Sequence, residues 1–322
     1  MVITSIRKYK IPYMVKCNIC GGSTKILEAR EQMMGLNETF TYNQCNECGH
    51  TQLHNIPAKM DTYYDTKQYY SFVKNTTIFI RFIKIIPIYL EKLLILLNVK
   101  KSFLYSAALK SLLSIKDLNK NSTILDYGCG AGQFINELKM LGFKKSIGFD
   151  PFLTENVVSN GQLVLSNNLS LFTPTCWDII TLNHVFEHLE NPVQKLIELN
   201  NHLAKHGKLL LRFPVIDSYA FEKYHSKWVQ LDAPRHLNLF TRKSIKIAIE
   251  KAGNYKIISF YDDSYHFQFT GSELYMKNLS LKEHNNWLKR ILSFKTYQFH
   301  FLAKKLNSKN KGDQVVIILE KI

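Results

Sequence analysis

The chain has 322 residues, of which 46% are hydrophobic and 21% charged. This composition fits one large folded domain with a smaller addition, and it excludes disordered, collagen-like and disulfide-knot proteins. The formal net charge is +16, with 17 basic and 8 acidic residues in 1–120, 15 of each in 121–276, and 10 basic and 3 acidic in 277–322. Such basic flanks suit a polyanionic partner, either nucleic acid or an anionic membrane, unless they serve solubility alone.

The N-terminal region carries two pairs of cysteines and no signal-peptide pattern, so we predict a cytoplasmic protein. Each pair has C-x-x-C spacing, which lets both thiolates reach one ion. Four sulfur ligands close a tetrahedral site, so we predict structural zinc rather than a catalytic metal. Residues 24–40 are predicted to form a hairpin, and residues 1–60 a zinc-ribbon-like module. The predicted ligands are Cys17, Cys20, Cys45 and Cys48.

Residues 61–120 are predicted to form a helical connector. Within it, apolar residues recur at helical spacing over 77–99, but charges at Arg81, Lys84 and Glu91 interrupt them, so the segment is not a membrane span. Packing on the protein's own core is the favoured interpretation. Peripheral contact with an anionic membrane, at the inner membrane surface, is the alternative hypothesis.

From residue 121 the pattern changes to alternating strands and helices. An apolar strand at 123–127 leads into a glycine-rich turn and then a helix beginning near Gln133, which lets a ligand approach the backbone closely. The next strand ends in Asp150, about 20 residues after the turn, which is the sequence spacing of an acid that binds the ribose hydroxyls. Asp126, directly before the turn, would repel a diphosphate, which argues against a nicotinamide dehydrogenase. The glycines of the turn are Gly128, Gly130 and Gly132.

These features, with a strand at 177–182 that leads into His184-Val-Phe-Glu-His188-Leu, resemble a class I S-adenosylmethionine-dependent methyltransferase. The resemblance implies an α/β fold for residues 121–322, with a Rossmann-like seven-stranded sheet. Its last strand, at 314–320, would run antiparallel, after an insertion at about 263–312. Where the family often has an acid near the adenine, this chain has Asn167 and Asn168. The implied S-adenosylmethionine-binding residues are Asp126, Gly128, Gly130, Gly132, Asp150 and Asn183.

The loop after the fifth strand contains Asp232-Ala-Pro-Arg235-His236, followed by Thr241 as a helix N-cap without a capping box. With the cysteine pairs, this string resembles a subgroup of bacterial methyltransferases associated with cell-surface glycan or sugar modification. We predict His236 as the general base, with His188 or His184 as alternatives. Asp232 would orient a histidine, and Arg235 would pair with an anionic acceptor group. His184 and His188 have metal-ligand spacing, but no third ligand lies nearby in the sequence.

The predicted function is O-methylation of a sugar in a nucleotide- or lipid-linked cell-surface glycan precursor. One alternative is an RNA methyltransferase that binds through the zinc module and the basic flanks. Others are a C- or N-methyltransferase of a small sugar metabolite, and a binding module that keeps the fold without catalysis.

Overall fold

The computed structural model describes residues 15–64, 105–159, 161–172, 175–284 and 293–322, together with Leu93 and Leu97. Most of the predicted connector, and all but two residues of the segment 77–99, lie outside these ranges. In the part of the chain that is described, no helix is both long enough and apolar enough to span a bilayer.

Strands and helices alternate through most of the described chain. The strands are β1 (Thr24–Arg30), β2 (Thr39–Cys45), β3 (Thr51–Leu53), β4 (Ile124–Tyr127), β5 (Ser146–Phe149), β6 (Val157–Ser159), β7 (Gln162–Ser166), β8 (Trp177–Asn183), β9 (Leu203–Pro214), β10 (Asn238–Leu239), β11 (Tyr255–Asp262) and β12 (Gln314–Lys321). The α-helices are α1 (Ala107–Leu113), α2 (Gln133–Met140), α3 (Pro192–Asn201), α4 (Tyr219–Tyr224), α5 (Arg242–Ala252), α6 (Phe267–Met276), α7 (Leu281–His284) and α8 (Phe294–Asn307).

The central sheet has the strand order β11-β12-β9-β8-β4-β5-β7-β6. Neighbours from β9 to β7 pair in parallel, and β12 runs antiparallel to both β9 and β11. The sheet therefore has the predicted Rossmann-like arrangement, with eight strands rather than seven. The added edge strand β6 forms because the chain after β5 turns back near Gly161, whose φ is +73°, and pairs antiparallel with β7.

Both faces of this sheet are covered, and β9 shows how. Leu209 and Leu211 belong to one hydrophobic cluster, while Leu210 between them belongs to the other. Successive side chains of a strand point to opposite faces, so a run of three leucines supplies both layers. The helices packed on each face keep water from the parallel strands, whose carboxyl ends form one edge of the sheet.

A second sheet joins the N-terminal segment to the rest of the molecule. Residues 17–53, hereafter the cysteine module, contribute β1, β2 and β3, and the fourth strand is β10 from the loop before α5. β10 pairs antiparallel with β3, and the amide of Leu53 donates to the carbonyl of Leu237 at 2.9 Å. The loop that contains Arg235 and His236 is therefore held directly against the cysteine module.

The start of α5 differs from our expectation. We expected no capping box, because the N3 residue is a serine rather than Glu or Gln. The Thr241 side chain accepts from the amide of Ser244, and the Ser244 hydroxyl accepts from the amide of Thr241 at 2.8 Å, so a capping box is present. The Ser244 side chain is short, but its hydroxyl still reaches the N-cap amide and takes the place of the usual Glu or Gln carboxyl or amide group. Thr241 also donates to the carbonyl of Cys48 at 2.6 Å.

Candidate active site

Asp126 lies near the carboxyl end of β4 and is only 4% exposed. Its Oδ1 accepts from the Thr181 hydroxyl at 2.7 Å and from the Asn183 amide at 3.4 Å. Burial raises the pKa of Asp126 to about 7, and the nearby Asp150 adds to the rise, while the two donors oppose it. A cationic group placed beside this carboxylate would stabilise its charged form.

The glycine-rich turn between β4 and α2 brings its backbone close to its neighbours. Gly128 has φ +81°, and a Cβ there would come within 2.3 Å of the Val185 side chain. The amide of Gly130 donates to Asp150 Oδ2 at 2.8 Å, and the amide of Phe152 donates to Asp150 Oδ1 at 2.9 Å. Burial raises the pKa of Asp150, although these amides oppose the shift. Asp150 is thus fixed against the turn.

A cavity of about 490 Å³ opens beside these groups and is lined by Gly128, Gly130, Asp150 and Asn183. The Oδ1 atom of Asn183 is buried, and no hydrogen-bond partner for it exists among the described residues. An ammonium group would satisfy this oxygen and be attracted by the charge of Asp126, which does not itself line the cavity, and hydroxyls would suit Asp150. The residues therefore fit the S-adenosylmethionine that the sequence predicted. Neither Asn167 nor Asn168 is among the described residues that line the cavity.

A second cavity, of about 770 Å³, lies next to the first. Most of its lining comes from the cysteine module, the loop before β10, and the segment between β11 and β12, and α1, β9 and the residue that follows β8 contribute the rest. His184 is the one described residue that lines both cavities. The other lining residues include Met33, Met34, Arg212, Asp232, His236, Tyr265, Phe267 and Lys282.

His184 follows β8 in a left-handed backbone conformation, with φ +54°. Its amide donates to the carbonyl of Arg212 at 2.8 Å, and its Nδ1 lies 3.3 Å from Glu187 Oε1. Burial raises the pKa of Glu187, but contact with His184 and the charges of His188 and His236 outweigh it and lower the pKa to about 2. Glu187 is therefore an anion that orients the His184 ring and leaves its Nε2 for an acceptor's proton.

His236, the base that we favoured from the sequence, is 4% exposed. Its Nδ1 contacts the carbonyl of Gln230 at 2.7 Å, and its Nε2 lies 3.8 Å from both Glu187 Oε1 and Asp232 Oδ2. Burial and the neighbouring His188 together lower the pKa of His236 to about 4, although the carboxylates of Asp232 and Glu187 oppose the shift. Because catalysis favours a base whose pKa is near the working pH, His236 is poorly suited to this role. His184 has the better position, since it lines both cavities.

Arg235 does not have the surroundings that we expected. Its side chain is fully buried, and Nε and Nη2 donate to the Asp232 carboxylate at 2.6 to 3.0 Å. Nη2 also donates to Glu31 at 2.9 Å, and Nη1 donates to the carbonyl of Tyr63. The guanidinium is thus committed to protein partners and not presented to an anionic acceptor. The Asp232 carboxylate likewise pairs with Arg235 and makes no hydrogen bond to a histidine ring, although it lies 3.8 Å from His236 Nε2.

The four cysteines of the module come together as the spacing predicted. The sulfurs of Cys17 and Cys48 are 3.7 Å apart, those of Cys20 and Cys45 are 3.4 Å apart, and all four lie within 4.8 Å of one another. Zinc bonds of about 2.3 Å place neighbouring sulfurs about 3.7 Å apart in a tetrahedron. Burial raises the pKa of Cys45, but hydrogen bonds from backbone amides lower it to about 7. The cluster fits zinc.

Two buried acids were missed as functional residues in the sequence. Glu31 had no motif to indicate its pairing with Arg235. Glu187 stood inside the His184–His188 string, and its position three residues after His184 was the signal that could have revealed their contact.

Residues 101–258 match the family model described as a methyltransferase domain. This region of the chain is a methyltransferase domain, and its sheet has the strand arrangement of the class I S-adenosylmethionine-dependent methyltransferases. No curated protein matches it significantly.

Several solved structures resemble this methyltransferase. One is a SAM-dependent methyltransferase from Archaeoglobus fulgidus (19% identity, 62% of this chain and 86% of that chain, TM-score 0.39). Another is a SAM-dependent methyltransferase from Mesorhizobium loti (12% identity, 63% and 94%, TM-score 0.39). The [4+2]-cyclase SpnF is also similar (13% identity, 63% and 76%, TM-score 0.42). The family match, not these likenesses, carries the assignment.

The raised pKa of Asp126 makes donor binding depend on pH. Because the carboxyl titrates near pH 7, it is mostly neutral at pH 6 and mostly charged at pH 8, and only the charged form attracts the ammonium of S-adenosylhomocysteine. We expect binding to be about tenfold weaker at pH 6 than at pH 8. Titration calorimetry at the two pH values measures this. Asp126→Asn should bind weakly at both, and equal wild-type affinities would contradict the assignment.

Proposed function

We propose that this methyltransferase transfers the methyl group of S-adenosylmethionine to a hydroxyl oxygen of a sugar. The acceptor is a nucleotide- or lipid-linked precursor of a cell-surface glycan, and the reaction takes place in the cytoplasm. One observation carries the proposal: His184, oriented by the buried carboxylate of Glu187, borders both the donor cavity and the larger cavity beside it. This is the position that a base for an acceptor hydroxyl requires.

The donor-side residues have separate tasks in this scheme. Asp126 and Asn183 hold the amino group of the donor, and Asp150 holds the ribose. The bound donor supplies an already activated methyl group, so the protein must align the acceptor oxygen and remove its proton. His184 Nε2 accepts that proton, and the Glu187 carboxylate stabilises the resulting imidazolium.

The second cavity has features that suit a phosphorylated sugar. Its volume of about 770 Å³ lies within the usual range for organic ligands. Lys282 brings positive charge to its wall, Arg212 adds a guanidinium whose Nε donates to Asp263, and Tyr265 and Phe267 bring aromatic surface. Cations favour the phosphate of a nucleotide or lipid carrier, and aromatic rings favour the apolar face of a sugar. This chemistry supports the acceptor class.

The proposal includes zinc in the cysteine module, with a structural role. The module positions β10 and the adjoining loop, so zinc supports the wall of the acceptor cavity rather than the reaction.

Two measurements on zinc-loaded protein test the function. Calorimetry with S-adenosylhomocysteine should detect binding by the wild type and its loss in Asp150→Ala, which removes the carboxylate from the turn. Nucleotide sugars and polyprenyl-phosphate sugars are then incubated with the donor and examined by mass spectrometry and NMR. A new O-methyl group on a sugar is the expected product. Methylation of RNA alone, or on carbon or nitrogen, would contradict the proposal.

A further inference from the structure

Three potential metal ligands converge where the two cavities meet. They are Glu187 and His188, which follow β8, and His236, from the loop before β10. One ligand atom from each lies within 4.8 Å of the other two. His188 lines the donor cavity and His236 lines the second cavity, so the cluster, hereafter the junction cluster, borders the space of both reactants.

Both imidazoles of the junction cluster are held as metal-binding histidines are. His188 Nδ1 lies 2.8 Å from the carbonyl of Arg235, and His236 Nδ1 lies 2.7 Å from the carbonyl of Gln230. Because a carbonyl oxygen only accepts, each Nδ1 carries the ring proton and each Nε2 keeps its lone pair. Metal-ligating histidines commonly donate the other ring N–H to a carbonyl in this way.

Glu187 gives an independent indication. Its side chain is completely buried, and apart from the contact of Oε1 with His184 Nδ1 neither carboxylate oxygen has a hydrogen-bond partner among the described residues. Its nearest polar neighbours are His184 Nδ1, 3.3 Å from Oε1, and His236 Nε2, 3.8 Å from the same oxygen. A buried carboxylate without hydrogen bonds is costly unless it is paired or binds a metal. A cation between Glu187 and the two imidazoles would supply what is missing.

We propose that the junction cluster binds a divalent metal ion of the zinc type through a Glu187 oxygen and the Nε2 atoms of His188 and His236. Two imidazoles and one carboxylate form a known ligand set for zinc that keeps a fourth position open. Neighbouring ligands around tetrahedral zinc lie about 3.3 Å apart, so the 3.8 Å between Glu187 and His236 has to shorten only slightly. A further ligand could reach this ion from the cavities, since His188 lines one and His236 lines the other.

The role of this ion rests on the proposed function, whereas the site itself does not. In its open position the metal binds the acceptor hydroxyl oxygen and lowers the pKa of that hydroxyl. The proton passes to His184 Nε2. The oxygen then forms a bond to the methyl carbon as the carbon–sulfur bond breaks, and the sulfur keeps the electron pair as S-adenosylhomocysteine. The metal changes neither charge nor oxidation state.

Metal content tests the site without any acceptor. After dialysis against micromolar zinc, we expect wild-type protein to hold one more zinc per chain than Glu187→Gln or His236→Gln. His206→Gln is the matched control, because the His206 side chain is 64% exposed and belongs to neither cavity lining, and it should keep the wild-type content. Zinc retained in the cysteine module shows that each variant is folded.

Cobalt spectroscopy distinguishes the two sites. Cobalt added to protein with zinc in the cysteine module should give visible bands of a nitrogen- and oxygen-ligated ion, absent in Glu187→Gln. Equal zinc in the wild type and both variants, with no cobalt band, would overturn the proposal. Calorimetry with S-adenosylhomocysteine on the same samples separates the outcomes, since donor binding without the second metal refutes only the junction cluster.

Discussion

Arg235→Ala is expected to lower the free energy of unfolding by about 3–5 kcal/mol, because removing one partner leaves buried charges uncompensated. The guanidinium is the shared partner of Glu31 and Asp232, and both it and Glu31 are fully buried. Glu31 and Arg235 are 204 positions apart in the sequence, so their ion pair joins the cysteine module to the loop before β10. Denaturant unfolding of zinc-loaded protein measures the effect.

The control for this experiment is Lys295→Ala, which also removes one positive charge from an ion pair. Lys295 is 58% exposed and pairs with Glu273 at 2.9 Å, and exposed pairs contribute only about 0–1 kcal/mol. A loss in Arg235→Ala no larger than that of the control would show that the buried pairs do not hold the two parts together.

His184→Asn is expected to lower kcat about 10²- to 10⁴-fold, the usual contribution of a positioned general base. Asparagine tolerates the left-handed backbone at this position, where φ is +54°, so the turn after β8 should be kept. The affinity for S-adenosylhomocysteine should stay close to that of the wild type, because Asp126, Asn183 and Asp150 are unchanged. Single-turnover methyl transfer to the identified sugar acceptor, measured across pH, gives the rate.

His206→Asn provides a comparison with the same residue change in the same backbone conformation. His206 has φ +60° and belongs to neither cavity lining, so its kcat should equal that of the wild type. If both variants react at the wild-type rate, His184 is not the base. If both lose activity equally, the loss comes from the backbone rather than from the imidazole.

Four of the predicted donor-binding residues, Gly128, Gly130, Asp150 and Asn183, line one cavity, and the sequence could indicate this because the information is local. Asp126 and the glycine-rich turn occupy consecutive positions, and a strand that leads into such a turn and a helix permits few arrangements. The same holds for the C-x-x-C pairs, whose spacing alone brings two sulfurs to one point. The alternation of strands and helices likewise indicated the parallel sheet.

The acceptor side could not be read in the same way, because its contacts join distant parts of the chain. Arg235 was expected to face a ligand, but its partner Glu31 comes from the hairpin of the cysteine module, whose docking no local pattern specifies. The preference for His236 over His184 failed to consider burial, which lowers the pKa of His236 to about 4. His236 was also missed as a neighbour of His188, since 48 positions of intervening chain separate them.

The pairing of β3 with β10 has a consequence for how the chain is made. During synthesis the cysteine module leaves the ribosome before the central sheet, yet its last sheet partner, Asn238–Leu239, emerges only after most of that sheet. Until then β3 has an open edge, and open edges invite pairing with other chains. Its length of three residues limits that hazard. A nascent chain stalled before Leu239 should therefore keep an unfinished module, which only the arrival of β10 completes.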